Sequence, residues 1–247
     1  MKKVVTIVLA VVLVCALLAG CGVSKGFAAN LEYAKGKISD FVHDQKRNES
    51  MFATDIFKTA NIAAMMITKD STDEDYENIA KNLSLVSLTV ADENHNIVGS
   101  YPAGDKGKKL KELDDKKNFA SVIRNATVKQ MTDPVYNEDD GTYSLLAGVK
   151  RTDGTGVVII ECKTTDYADV NGDNLAEKCG NNMIVVKNDA VISSTVDGVA
   201  KADSLDAIKL TADDLKKDTI SFTADGKNYT AKAATEAGIT VICAEPK

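Results

Sequence analysis

Tryptophan is missing from this 247-residue chain, and histidine (two) and proline (three) are scarce. So little histidine leaves few of the usual general bases. His43 lies in a helical stretch and His95 in a turn, and neither neighbours a Ser or Cys in a nucleophile motif. No Gly-rich phosphate loop follows a strand-like run. The chain therefore reads as a non-enzyme without a cofactor, and an exported hydrolase is the weakest reading. The five cysteines show no C-x-x-C spacing, so a zinc site is unsupported. No Lys/Arg stripe with interleaved aromatics occurs, and the formal charge of −6 has the wrong sign for nucleic acid. After the first apolar run none is long enough to span a bilayer. Everything after Cys21 is expected on one side of a membrane, without a cytoplasmic output domain.

What is present begins at the N-terminus. Lys2 and Lys3 precede an apolar run from Val4 to Ala19, broken only by Thr6. Leu18-Ala19-Gly20-Cys21 follows. This is a charged n-region, an apolar h-region and a small-residue cleavage site, which makes 1–20 a signal peptide. The ending resembles the bacterial lipobox, which implies lipidation of Cys21 and an extracytoplasmic, lipid-anchored protein. The other reading is an uncleaved first membrane helix. Of the remaining cysteines, Cys162 and Cys243 sit in apolar runs as small buried residues. A disulfide from Cys179 to one of them is the minority alternative.

Apolar residues recur at helical spacing from Leu31 through Ile38, Phe52 and Ala63 to Ile67, with Gly36 the one glycine inside. Such a helix of about 37 residues would be about 55 Å long. Ser71-Thr72-Asp73-Glu74 reads as a capping box opening a short helix through Leu83. The period then changes to that of strands, at Leu85–Ala91 and Ile97–Tyr101 around the turn Asp92–Asn96. A helix bearing Phe119, Val122, Ile123 and Ala126 follows, then strands near Pro134–Tyr136, at Thr142–Arg151 and at Val157–Thr164. The order repeats with a helical stretch near Tyr167–Lys178 and strands at Met183–Lys187 and Val191–Thr195. A short helix near Ala212–Lys216 and strands at Thr219–Thr223, Asn228–Ala233 and Ile239–Ala244 complete it. Short turns between strands imply antiparallel sheets, each needing helices over one face. The expected fold is α+β: a long N-terminal helix followed by two tandem PAS-like antiparallel-sheet modules.

These features resemble the Cache family of extracytoplasmic sensor domains, in its double form. Leu88–Ser100 is similar to the family's opening hairpin. Lys111–Phe119 resembles the acidic run before the ligand-facing helix, and Thr132-Asp133-Pro134 the Ser-Asp-Pro before the later strands. Gly148-Val149 and Val157–Glu161 stand where the module's last strands belong. The likeness is good over 85–165. Over 180–244 it rests on strand order and Gly180–Met183. It implies a signal peptide (1–20), a long helix and a short helix (21–84), a membrane-distal Cache module (85–165) and a membrane-proximal Cache-like module (166–247).

The resemblance also implies a ligand site in the distal module. Lys116 stands at the place of the family's carboxylate-binding Arg, Asn118 at an aromatic place beside Phe119, and Glu161 at the place of the Asp that takes an amino group. Asp133, Tyr136 and Tyr143 complete the candidate set. Lysine neutralises a carboxylate but lacks the planar fork of arginine. With tryptophan missing too, the pattern points away from a typical amino-acid ligand and leaves a small anion or zwitterion among amino-acid, amine and carboxylate ligands. Each residue has a plainer reading. Lys116 lies in a Lys-rich run that reads as solvated surface. Glu161 interrupts an apolar strand and alternation could turn it outward. Tyr136 and Tyr143 suit a strand core, and Asp133 suits a turn. Asp169–Asn174 resembles a calcium loop, but Asn174 and Gly180 stand where Gly and Glu are required. It reads as a linker, so no metal site is expected.

The expected function is a small-molecule-sensing lipoprotein that signals through a membrane partner. One alternative is the sensory part of a chemoreceptor or kinase, cut before a second membrane helix beyond Lys247. The other is a structural surface lipoprotein with an empty pocket.

Overall fold

The computed structural model describes residues 26–125 and 127–247. The signal peptide, Cys15, the lipidation candidate Cys21 and Ala126 lie outside the described residues. Among the described residues no helix is long and apolar enough to cross a membrane.

Helix α1 (Phe27–Met66) is 40 residues long and unbroken, as the apolar period predicts. Helix α2 (Asp73–Asn82) begins one residue later than the four-residue box suggests. Thr72 is the cap and Asp75 its reciprocal partner: the Thr72 N–H donates to Asp75 Oδ2 at 2.7 Å, and the Asp75 N–H donates to Thr72 Oγ1 at 3.3 Å. Strands β1 (Ser87–Asp92) and β2 (Ile97–Tyr101) form the expected hairpin. Its turn is fixed by Asp92 Oδ1, which accepts the N–H groups of Asn94 and Asn96. A 3-10 turn (Lys117–Phe119) runs into α3 (Ala120–Arg124).

The single strand expected near Pro134 is two: β3 (Gln130–Met131) and β4 (Val135–Asn137). Pro134 lacks an N–H and interrupts the ladder between them. β5 (Thr142–Lys150) and β6 (Gly156–Thr164) follow. The helical stretch after them is also split, into α4 (Tyr167–Asn171) and α5 (Leu175–Cys179). Gly172 ends α4 in the left-handed conformation, φ 86°. The remaining strands are β7 (Met183–Lys187), β8 (Ala190–Ser194), β9 (Ile220–Ala224), β10 (Lys227–Glu236) and β11 (Ile239–Pro246). The short helix expected at Ala212–Lys216 is a 3-10 turn at Asp214–Lys216.

The chain forms two compact units, one of residues 41–173 and one of residues 26–40 with 174–247. The first unit holds an antiparallel sheet in the order β2-β1-β6-β5-β3, with β4 also paired to β5. Helices cover both of its faces, not one. Ala60, Ala63 and Ala64 of α1 and Tyr76 and Ile79 of α2 pack on Leu88, Val90, Ala147 and Val158. Leu110, Phe119 and Val122 pack on Ala91, Leu146, Val157 and Ile159 from the other side. β1 is accordingly buried almost without alternation. Glycine makes the close approaches possible: a Cβ on Gly99 would lie 2.1 Å from the Tyr76 ring, and one on Gly148 would lie 2.2 Å from the Phe119 ring.

The second unit holds the sheet β8-β7-β11-β10-β9, also antiparallel. Ile184, Leu210, Ile220, Phe222, Tyr229 and Ile242 are buried in its core. The long connection between β8 and β9 supplies Val196, Val199, Leu205 and Ile208 to that core. Cys162, Cys179 and Cys243 are free thiols. Burial pushes Cys162 and Cys179 up to about 11.

Candidate ligand site

Within residues 41–173, a cavity of about 270 Å³ opens on the sheet face that carries Phe119 and Leu146. β5 contributes Ser144, Leu145 and Leu146 to its wall, and β6 contributes Glu161. Register explains the meeting, because Leu146 and Glu161 are cross-strand partners and share a face. Thr132, Asp133 and Val135 form the rim, and Asp115 closes it. Larger hollows, of about 440, 320 and 280 Å³, lie along α1 and α2, and no sheet-strand residue lines them.

Each acidic group is positioned by local structure. Ser87, buried on β1 opposite Glu161, donates its hydroxyl to Glu161 Oε2 at 2.8 Å. The Thr132 N–H donates to the Leu146 carbonyl, and Thr132 Oγ1 accepts the Leu146 N–H, both at 2.9 Å. That pair of hydrogen bonds pins the rim to β5. Asp133 precedes Pro134, which restricts its backbone to extended conformations. Asp115 stands just before the 3-10 turn anchored by Phe119, which is fully buried against Gly148.

The structure brings Asp133 and Glu161 together and leaves the other candidates outside the cavity wall. Lys116 is not solvated surface; it is buried, and its ammonium lies 3.2 Å from Asp105 Oδ2 and 4.0 Å from Asp115. The ammonium groups of Lys108 and then Lys116 hold the Asp105 carboxyl below its ordinary range. Lys116 thus ties the 3-10 segment to the loop after β2. Asn118 is exposed, and Phe119 is core.

Tyr136 and Tyr143 are cross-strand partners with rings 5.2 Å apart. Tyr143 is buried, and its hydroxyl donates to Asp173 at 2.8–2.9 Å and accepts from Asn171 Nδ2 at 2.8 Å. Burial, and then the Asp173 carboxylate, push its phenol well above the usual tyrosine value. Asp173, part of the calcium-like loop, is thus bonded to a tyrosine. Among the described residues no group of three His, Cys, Asp or Glu is arranged to hold a metal ion.

Asp115, Thr132, Ser144 and Leu146 were not among the candidates. The Thr132-Asp133-Pro134 and Asp115–Phe119 segments marked their neighbourhood. Ser144 and Leu146 follow only from the pairing of β5 with β6.

No protein-family model matches the chain, and no curated protein matches it. Several solved structures resemble it. One is the ligand-binding domain of the Campylobacter jejuni chemoreceptor Tlp3 in complex with 4-methylisoleucine, at 10% identity and TM-score 0.41, covering 90% of this chain and 93% of that one. Another is the ligand-binding domain of the Pseudomonas aeruginosa amino-acid chemoreceptor PctC with GABA, at 11% identity and TM-score 0.46, covering 85% and 97%. A third is the sensor domain of the Vibrio cholerae histidine kinase DctB, at 12% identity and TM-score 0.40, covering 90% and 98%. The likeness is coarse, and no residue role follows from it.

Proposed function

We propose that the protein is a Cache-type, extracytoplasmic small-molecule sensor whose ligand occupies the cavity beside β5 and β6 and carries a positive charge. The observation behind this reading is the cavity wall: Asp115, Asp133 and Glu161 supply three carboxylates, and no Lys, Arg or His lines it. The lysine that would meet an anion is committed to Asp105. Leu145, Leu146 and Val135 add an apolar surface for a short carbon chain. A cavity of about 270 Å³ suits a small amine. The lipobox-like Leu18-Ala19-Gly20-Cys21 supports a lipid anchor at Cys21, which would hold the sensor at the membrane beside a signalling partner.

Calorimetry with a panel of primary amines, diamines and matched carboxylates tests the ligand class. Amines should bind and carboxylates should not. A hydrogen bond to a charged group contributes about 1.5–3 kcal/mol, so Glu161→Gln should weaken amine binding about ten- to hundredfold. Carboxylate binding that is unaffected by Glu161→Gln would defeat the assignment.

A further inference from the structure

We propose that a chain of four rings, Tyr136–Tyr143–Tyr167–Phe52, couples occupancy of this cavity to helix α1, with Tyr143 as its positioning residue. The inference rests on the reading of the cavity as a ligand site and deepens it.

Alternation along the strands makes the link. β5 sends Ser144 and Leu146 toward the cavity face. Its neighbour Tyr143 lies on the opposite face, where its ring meets Tyr167 of α4 at 5.0 Å. β4 does the same: Val135 lines the cavity, and the ring of the next residue, Tyr136, meets that of Tyr143 at a tilt. Tyr167 in turn meets Phe52 of α1 at 4.9 Å. On β4 and β5, a wall residue thus adjoins a ring-chain residue: Val135 beside Tyr136, and Ser144 beside Tyr143. The three ring pairs fall at the separations and tilted geometries that aromatic pairs prefer.

The chain has a soft end and a stiff middle. β4 has three residues, pairs among the described residues only with β5, and exposes Val135 at 67%. Such an element lies at the low end of local stability and is the wall most easily moved by a ligand. Tyr143 is the opposite. Its hydroxyl is held by Asp173 and Asn171, so displacement of β4 turns its ring against a fixed pivot. Further along α1, Ala60, Ala63 and Ala64 seat the helix directly on the sheet. At Phe52 the helix meets α4 through rings.

The chain contains no tryptophan, so Phe52→Trp in the full chain introduces a sole indole at the end of the ring chain. The cavity is filled in two ways. Putrescine is added in solution, with calorimetry reporting its binding. Separately, Ser144→Cys in a Cys162→Ala background is modified with an aminoethylthio group, which places an ammonium in the cavity whatever the natural ligand. We expect the indole emission to shift with either occupant. Tyr167→Leu, outside the cavity wall, should abolish the shift while calorimetry still shows putrescine binding.

A filled cavity with unchanged emission overturns the coupling. So does a shift that survives Tyr167→Leu. Absence of putrescine binding, with the tethered group still shifting the emission, sinks the amine reading and supports the coupling. If Phe52→Trp fails to fold, hydrogen exchange of residues 48–56 in the chain with native Phe52 decides the matter. A change on occupancy that is lost in Tyr167→Leu supports the proposal, and no change overturns it.

Discussion

Gly148→Ala isolates the contact that seats the cavity's helical side on the sheet. A methyl at Gly148 would lie 2.2 Å from Phe119 Cδ1 and 2.8 Å from Cε1, far inside van der Waals contact. Phe119 is fully buried, so its ring has no open space to enter. Overpacking of this kind costs about 1–3 kcal/mol. At about 2–4 °C per kcal/mol, the melting temperature of this unit should fall by about 2–12 °C. The decisive step is to repeat the change in a Phe119→Ala background. Phe119→Ala alone should cost about 3–5 kcal/mol through the cavity it leaves. With the ring gone, the three atoms nearest a methyl at Gly148 are removed, and the change relieves the entropy penalty of glycine in a strand. It should then stabilise by about 0.5–1 kcal/mol. The substitution therefore changes sign between the two backgrounds, and the coupling energy is the difference. The chain has two compact units, so the measurement should be local: hydrogen exchange of β5 amides across a urea series. A cost that is equal in both backgrounds, or an unchanged stability in the first, would refute the packing argument.

Two further outcomes are expected. Arg151 donates from Nε and a terminal guanidinium nitrogen to the two oxygens of Asp153, at 2.8 and 2.6 Å, with both side chains largely buried. The guanidinium holds the Asp153 carboxyl below its usual range. A depressed carboxyl stabilises the fold above its unfolded value, and that contribution is lost as pH falls through the folded one. Asp153→Asn should therefore cost about 3 kcal/mol near neutrality, shrinking on acidification, as read from urea midpoints at a series of pH values. A cost independent of pH would contradict the assignment. For the anchor, the mass of the mature N-terminus should show a chain beginning at Cys21 and carrying acyl groups. An intact Met1 with unmodified Cys21 would leave the membrane-helix reading in its place.

Much of the fold was legible because its signals are local. The spacing from Leu31 to Ile67 needs only the helical period, and α1 follows it. The hairpin at Asp92–Asn96 needs only one carboxylate and the backbone around it. The departures depend on contacts distant in the chain. Pro134 splits the rim strand, and Thr132 exchanges two hydrogen bonds with Leu146, fourteen residues on, just before the break. Two-sided cover of the first sheet depends on Gly148 admitting Phe119 and on Gly99 admitting Tyr76. Neither glycine is at a turn, so neither carries the usual local signal.

The site shows the same division, with a chemical consequence. Glu161 was conspicuous as a charge inside an apolar strand, and Asp133 as the residue before a proline; both line the cavity. Lys116 stands out only by its place in a resemblance, and its charge leaves a small anion or zwitterion among the amino-acid, amine and carboxylate ligands. The sign of a site is not a property of one position, however. Asp105, eleven residues earlier, takes the Lys116 ammonium at 3.2 Å, and Asp115 is left on the cavity wall beside Asp133 and Glu161. Within one short segment the cation lies closer to the loop carboxylate, at 3.2 Å, than to Asp115 on the cavity wall, at 4.0 Å. An ammonium buried against a carboxylate could be recruited to a ligand only by leaving that carboxylate partly buried and unpaired, which is costly. On the proposed reading, the lining would favour a positively charged ligand because the nearby lysine already has its counter-ion.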